Sequence, residues 1–229
     1  MKRDRSIKKE FSTVVLVLIP VAIAINIVIG QIVFWLKLPV YLDSIGTMLV
    51  AVVAGPWAGA LTGTLSNLIW SLFEPTALPW VPVSLAIGFV TGLCAIAGLF
   101  KTWWRVIIAG FLVALTAAIV SSPIQVLLGG ITASGSSLIT AYLIQTGQGI
   151  VSSVLSTNFL VEPVDKIATA LLAFAILGGL SQRYLTLFPR PENVDFTAGN
   201  RTIQLIAAIL AAVLVVVVYW LVISPMLPG

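Results

Sequence analysis

Uncharged runs dominate this chain. No Asp, Glu, Lys or Arg lies between Asp43 and Glu74, between Glu74 and Lys101, or between Arg105 and Glu162. Asp43, Glu74, Glu162 and Asp165 therefore stand at the ends of long apolar segments, where a charge is costly to keep and function is the first suspicion. With 59% apolar and 9% charged residues, the composition is that of an all-α integral membrane protein rather than a water-soluble domain. Histidine is absent, and the single Cys94 cannot form an intrachain disulfide, so zinc and thiol redox chemistry are not expected. Much of the net charge of +4 comes from Met1 to Lys9, a basic segment that reads as a cytoplasmic anchor and needs no nucleic acid to explain it.

The apolar pattern predicts a basic tail over 1–10, a six-helix membrane domain over 11–182, a cytoplasmic linker over 183–201 and an additional transmembrane helix over 202–224. The first span runs from about Phe11 to Leu36. Two shorter helices, about Asp43 to Ala54 and Pro56 to Phe73, are separated by Gly55-Pro56, because proline lacks an amide donor and clashes with the preceding turn. The fourth and fifth helices cover about Val81 to Phe100 and Trp103 to Leu128. The sixth is expected to start at Pro163, a residue suited to the first helical position, and to end near Leu180. Ser134 to Asn158, with Gln145, Gln148 and many Ser, Thr and Gly, is a poor lipid-facing span and is expected to be re-entrant or external.

Basic residues set the orientation. With the amino terminus inside, Lys101 and Arg105 also fall inside, and so do Arg183, Arg190 and Arg201 provided that Ser134 to Asn158 does not cross. The carboxyl terminus then lies outside. On this topology the four carboxylates gather at the outer ends of their helices with Gln31, Ser44, Thr47, Ser66, Asn67, Ser84, Ser121, Ser122 and Gln125, while the inner halves are nearly pure aliphatic apart from Asn26. A bundle polar at one end and dry at the other is a cup, not a channel. Trp35, Tyr41, Trp70, Phe73, Trp80 and Phe159 collect at the same end, as ring contacts for a ligand or as an interfacial belt. Asp43 and Asp165 also fit helix-capping roles, and Glu74 fits a solvated loop. Asp165 and Lys166, adjacent on one helix, point about 100° apart and are not expected to pair with each other. Ala51, Gly55, Gly59 and Gly63 recur every four residues, as do Gly88 and Gly92, a pattern for close helix packing. No phosphate-binding GxxxxGK[ST] loop is present.

The run Tyr41-Leu42-Asp43-Ser44-Ile45-Gly46-Thr47, followed by Ala54-Gly55-Pro56, Gly59, Gly63 and Asn67, resembles the helix 2 and 3 region of the S components of energy-coupling factor (ECF) transporters, and Glu162-Pro163-Val164-Asp165-Lys166 resembles the start of their last core helix. The likeness covers about Val14 to Leu180. It implies a six-helix, S-component-like bundle in a prokaryotic inner membrane. Such a subunit is no enzyme and carries no cofactor. It captures a heterocyclic vitamin or precursor from outside and delivers it with a T component and two ATPase subunits that use the ATP. Asp43, Asn67, Gln125, Gln145, Glu162 and Asp165 would then orient the ligand, Trp35, Tyr41 or Phe73 would contact its ring, and the loop from Lys37 to Leu42 would act as a lid. The outer carboxylates favour a cationic or amine-bearing heterocycle. Family members dock through small residues on their first helix, which maps here onto Ala22, Asn26 and Gly30, with Asn in place of the second Ala. The additional helix over 202–224 also departs from the family pattern. The competing readings are a self-sufficient proton-coupled transporter, a sensory or scaffold subunit without transport, and an intramembrane enzyme, the last lacking both His and a paired-carboxylate helix motif.

Overall fold

A computed structural model describes residues 7–194 and the isolated positions Ile206, Ile209, Leu210, Val213 and Val217. The basic tail before Ile7, the linker beyond Val194 and, apart from those five positions, the additional helix expected over 202–224 lie outside the described residues. The described chain is all-helical: α1 (Ile7–Glu10), α2 (Thr13–Trp35), α3 (Ile45–Val53), α4 (Pro56–Trp70), a 3-10 turn (Pro75–Trp80) running into α5 (Val81–Ile96), α6 (Trp103–Leu127), α7 (Ser137–Gln145), α8 (Ile150–Gly179), α9 (Gln182–Leu185) and a 3-10 turn at Pro191–Asn193. Among the described residues three segments, Thr13–Trp35, Pro75–Ile96 and Trp103–Leu127, are long and apolar enough to cross a membrane.

α3 is the centre of the bundle. All nine of its residues are buried, which suits a helix that is apolar all round, and it packs against α2, α4, α5 and α8. At about 1.5 Å per residue it is roughly 13 Å long, too short to cross a bilayer. Pro56 opens α4 at the first helical position, and the chain reverses through Gly55, whose φ of 131° favours glycine. A side chain at Gly55 would also strike Glu10 and Arg190. The four-residue repeat of small residues lies where α4 meets its neighbours: Gly59 approaches Ala51 and Gly88, Gly63 meets the backbone of Ser84, and Gly92 meets Pro56.

One end of the bundle is closed by a buried polar clamp. The carboxylate of Glu10, 2% exposed, accepts from the amides of Trp57 at 2.9 Å and Ala58 at 3.3 Å, which satisfies the first donors of α4. Arg190 pairs with Glu10 at 3.0 Å and donates through Nε to the carbonyl of Ala54, while Asn193 donates to the carbonyl of Val52. The last carbonyls of α3 and the first amides of α4 are thus capped from opposite ends of the chain. Glu10 and Arg190 share this end of the bundle.

The sixth helix does not start at Pro163: α8 begins at Ile150 and carries Pro163 in its interior. Proline removes one backbone bond, but packing along α6 holds both halves in line, as neighbouring helices do for prolines in membrane helices. At 30 residues α8 is about 45 Å long, more than a roughly 30 Å hydrocarbon core requires. Ser134 to Asn158 accordingly divides into the nine-residue α7, too short to cross, and the first turns of α8.

Ala22, Asn26 and Gly30, expected to face a docking partner, do not form an outward face. All three are buried inside the chain itself. The carbonyl of Ala22 abuts Gly46, and Gly30 abuts Trp70 and Asp43. Asn26 donates to Thr47 Oγ1 at 2.8 Å and Ser66 Oγ at 2.9 Å, and accepts from the amides of Gly46 at 2.7 Å and Thr47 at 3.4 Å. Their small size serves the close approach of α3 and α4 to α2, and the outward face of α2 is instead made of Leu16, Val17, Val21, Val28 and Ile32.

Candidate ligand-binding cavity

The end opposite the Glu10–Arg190 clamp is built around irregular backbone. α2 terminates in a Schellman motif, with Leu38 N–H bonded to the Val33 carbonyl and Lys37 N–H to that of Phe34. The left-handed position falls on Lys37, φ 53°, where glycine is usual. From there residues 38–43 run between helices before α3 begins, and Leu42 is again left-handed at φ 50°. Partly buried amides outside a helix need partners. Asp165 supplies them: its Oδ1 accepts from the amides of Tyr41 and Leu42, each at 2.8 Å. Tyr41 is further held by a hydroxyl contact with Ser136 at 2.8 Å, and Lys37 donates to the carbonyl of Ala133 at 2.8 Å. The segment expected to act as a lid is therefore tied to α8 and to the turn before α7.

Behind this loop lies a charge cluster. The Lys166 ammonium, 2% exposed, bonds Asp165 Oδ2 at 2.5 Å and lies 3.7 Å from both Asp43 and Glu162. It also sits over the Tyr41 ring at 5.4 Å. Asp165 and Lys166 do pair, contrary to the sequence expectation, because the four-carbon lysine stem bends back over the intervening angle. The cluster holds three carboxylates against one ammonium. Burial, with the Glu162 carboxylate nearby, pushes the Tyr41 hydroxyl well above the usual phenol range, so it remains a neutral hydrogen-bonding group.

These groups face a cavity of about 440 Å³ bounded by α2, α4, α5, α6, α8 and the loops at this end. Of the site residues expected from sequence, Asp43, Asn67, Gln125, Glu162 and Tyr41 are in its wall. Asp165, fully buried, stands behind the wall and holds the loop. Three residues do not reach it. Trp35 is 71% exposed and Phe73 61%, while Gln145 is exposed at the end of α7. Helical phase turns Phe34 inward in place of Trp35, while Phe73 lies beyond the end of α4, whose last residue, Trp70, lines the cavity instead.

The wall also contains Trp80, Ser84 and Ser121, which the sequence placed at the polar end, together with Glu74, Asn158 and Lys166. Asn158, Glu162 and Lys166 are spaced by four and form one stripe along α8. That signal was present in the sequence but requires the helix to continue through Pro163. Glu74, set aside as a solvated loop residue, lies at the partly exposed rim with its carboxylate bonded by Thr76. Among the described residues no group of three or more His, Cys, Asp or Glu side chains is disposed to hold a metal ion. The ammonium of Lys166 already sits among the buried carboxylates.

No protein-family model, no curated protein and no solved structure matches this chain.

Proposed function

We propose that the chain is the substrate-binding membrane subunit of an ECF-type importer, taking a small heterocyclic vitamin or precursor into the cavity from the outer face and delivering it with a T component and two ATPase subunits. The observation that carries this reading is the cavity itself. It is about 440 Å³, in the range of small-molecule sites, and is lined by aromatic rings, amides and buried charges at one end of a bundle whose other end is closed. The motif run from Tyr41 to Asn67 and the Glu162–Lys166 segment point the same way, and both contribute to the cavity wall. The positive-inside preference of Lys101, Arg105, Arg183 and Arg190 turns the clamp end toward the cytoplasm and the cavity outward. The chain has no nucleotide-binding loop, so energy comes from partners. Docking uses a surface other than Ala22, Asn26 and Gly30.

The test has two parts. Protein purified from cells grown in rich medium is extracted and the retained small molecule identified by mass spectrometry; wild type should retain one species that Trp70→Ala and Asp43→Ala lose. Equal retention by these variants would remove the site. The identified compound is then offered to proteoliposomes containing the chain alone or with its T component and ATPases. Uptake should require the partners and ATP, and uptake by the chain alone would replace this reading with the proton-coupled transporter.

A further inference from the structure

The hydrogen-bonding character of the cavity wall specifies the kind of ligand it takes, given the proposed function on which this inference rests. Three amide side chains line the cavity, and each donates at least one N–H to the protein. Asn67 donates to Ser84 Oγ at 2.7 Å, Gln125 to the carbonyl of Gly130 at 2.9 Å, and Asn158 to the hydroxyls of Ser121 and Ser122 at 3.3 and 3.1 Å. The orientations of two of them are fixed by chemistry. A backbone carbonyl can only accept, and Ser122 already directs its hydroxyl proton to the Ala118 carbonyl at 2.6 Å. The side-chain oxygens of Gln125 and Asn158 are left without a protein partner.

The charged groups repeat this pattern. Glu162, 3% exposed, has one carboxylate oxygen with no hydrogen-bond partner, although Lys166 is 3.7 Å away. Asp43 uses one oxygen to accept from Ser44 and leaves the other open. The cations nearby are engaged: Lys166 is surrounded by three carboxylates, and Lys37 is bonded to the Ala133 carbonyl and lies over the Phe34 ring at 4.5 Å. The indole N–H of Trp70 is bonded to Gln31, so that residue presents only its ring to the cavity. The wall therefore offers acceptor oxygens, π faces and an excess of negative charge. Such a surface rejects carboxylates and phosphates and matches a group that is positive, flat and rich in N–H.

We propose that the cavity binds a flat organic cation bearing several N–H donors, an amino-substituted nitrogen heterocycle or amidinium-like group. Its positive edge meets Glu162, Asp43 and the open amide oxygens, and its ring lies against Trp70, Phe34 and Trp80. Glu162 determines specificity, because its carboxylate in the wall meets Lys166 only at 3.7 Å and gains a hydrogen bond from a donor that the ligand brings.

Three probes of one ring size separate charge and donor count from shape: benzamidinium, with four N–H groups and a positive charge; benzamide, neutral with two; and benzoate, negative with none. Each is added at millimolar concentration to the detergent-purified, ligand-stripped full chain, and thermal unfolding is read by tryptophan fluorescence. Stabilisation should fall in the order benzamidinium, benzamide, benzoate. The near-isosteric Glu162→Gln variant should keep the wild-type elution profile and bind benzamidinium about tenfold more weakly or worse. A benzoate shift equal to or above that of benzamidinium overturns this ligand class and leaves the binding-subunit reading standing. So does a shift from calcium ion with none from benzamidinium, or unchanged benzamidinium binding in Glu162→Gln. No shift from any probe overturns both.

Discussion

Removing the Lys166 ammonium with Lys166→Met tests whether the charge cluster holds the fold. Methionine keeps an unbranched side chain in the space, so the change is mainly electrostatic. In the wild type the ammonium is 2.5 Å from Asp165 and 3.7 Å from both Asp43 and Glu162, almost wholly out of water. At about 4 Å and an effective dielectric of about 20, each such pair attracts by about 4 kcal/mol before desolvation is subtracted. Breaking a buried pair by deleting one partner costs about 3–5 kcal/mol, because the other charge is left behind. Here three carboxylates are left facing one another. The loss is bounded, since an unpaired buried carboxylate takes up a proton, which at pH 7 costs an ordinary carboxyl about 4 kcal/mol. Asp165→Asn is the comparison. It leaves Lys166 with two carboxylates and keeps an oxygen for the amides of Tyr41 and Leu42, so it should lose only about 1.5–3 kcal/mol. At about 2–4 °C per kcal/mol for a chain of this size, Lys166→Met should melt on the order of 10 °C below wild type, with Asp165→Asn in between. Adding Glu162→Gln should recover more stability in the Lys166→Met background than in the wild type, because it removes one of the repelling charges. Unfolding is followed by tryptophan fluorescence in detergent. A Lys166→Met protein that melts with the wild type, or above Asp165→Asn, would refute the reasoning.

Other expectations test the scaffold around the site. Asn26→Leu has nearly the same volume but leaves the amides of Gly46 and Thr47 at the start of α3 without their acceptor, so it should lower stability by about 2–4 kcal/mol; an unchanged melting curve would show that this cap is dispensable. Gly88→Leu drives a side chain into the backbone of Gly59 and Ala60, which cannot yield without separating α4 from α5, and size-exclusion chromatography should show loss of the monodisperse protein. Arg190→Ala removes the partner that orients Glu10, at a cost of about 1–3 kcal/mol. Amide exchange at Trp57 and Ala58 should quicken while ligand retention is unchanged, and loss of retention would show that the clamp reaches the cavity.

The long uncharged runs made the membrane class legible, and the clustering of Asp43, Asn67, Gln125 and Glu162 toward one end made much of the cavity legible. What could not be read depended on partners that carry no sequence signal. Asp165 is held by two backbone amides 123 and 124 residues away, and nothing in the identity of Tyr41 or Leu42 announces a donor. Asn26 fell on the line of small residues expected to face outward, because the four-residue spacing gives a face but not which neighbour covers it. Trp35 and Phe73 were expected inside on the strength of their rings, yet one residue of helix is about 100° of rotation, enough to exchange Trp35 for Phe34. Pro163 misled most: taking it as a helix start split Asn158 from Glu162 and Lys166 and hid their common face.

Within the cluster the four charged residues divide their roles, and the division explains why the excess charge persists. Asp165 and Lys166 hold the structure: one fixes the loop backbone, the other pairs with it at the shortest distance in the group. Asp43 and Glu162 lie farther from the ammonium and line the cavity wall. Relaxation could relieve their repulsion by moving them apart. That movement is opposed, because Asp43 leads into α3, whose first turn is fixed by Asn26, and Glu162 is on α8, which packs along α6. Under the proposed function, the unrelieved charge is what a bound cation neutralises, and stability is linked to occupancy. Ligand at about a hundred times its dissociation constant adds about 2.7 kcal/mol to any binding-competent fold. In Glu162→Gln the same ligand concentration should add less, since part of the repulsion has already been removed and part of the attraction lost. Equal ligand-induced stabilisation of wild type and Glu162→Gln would mean that this carboxylate is not where binding and stability meet.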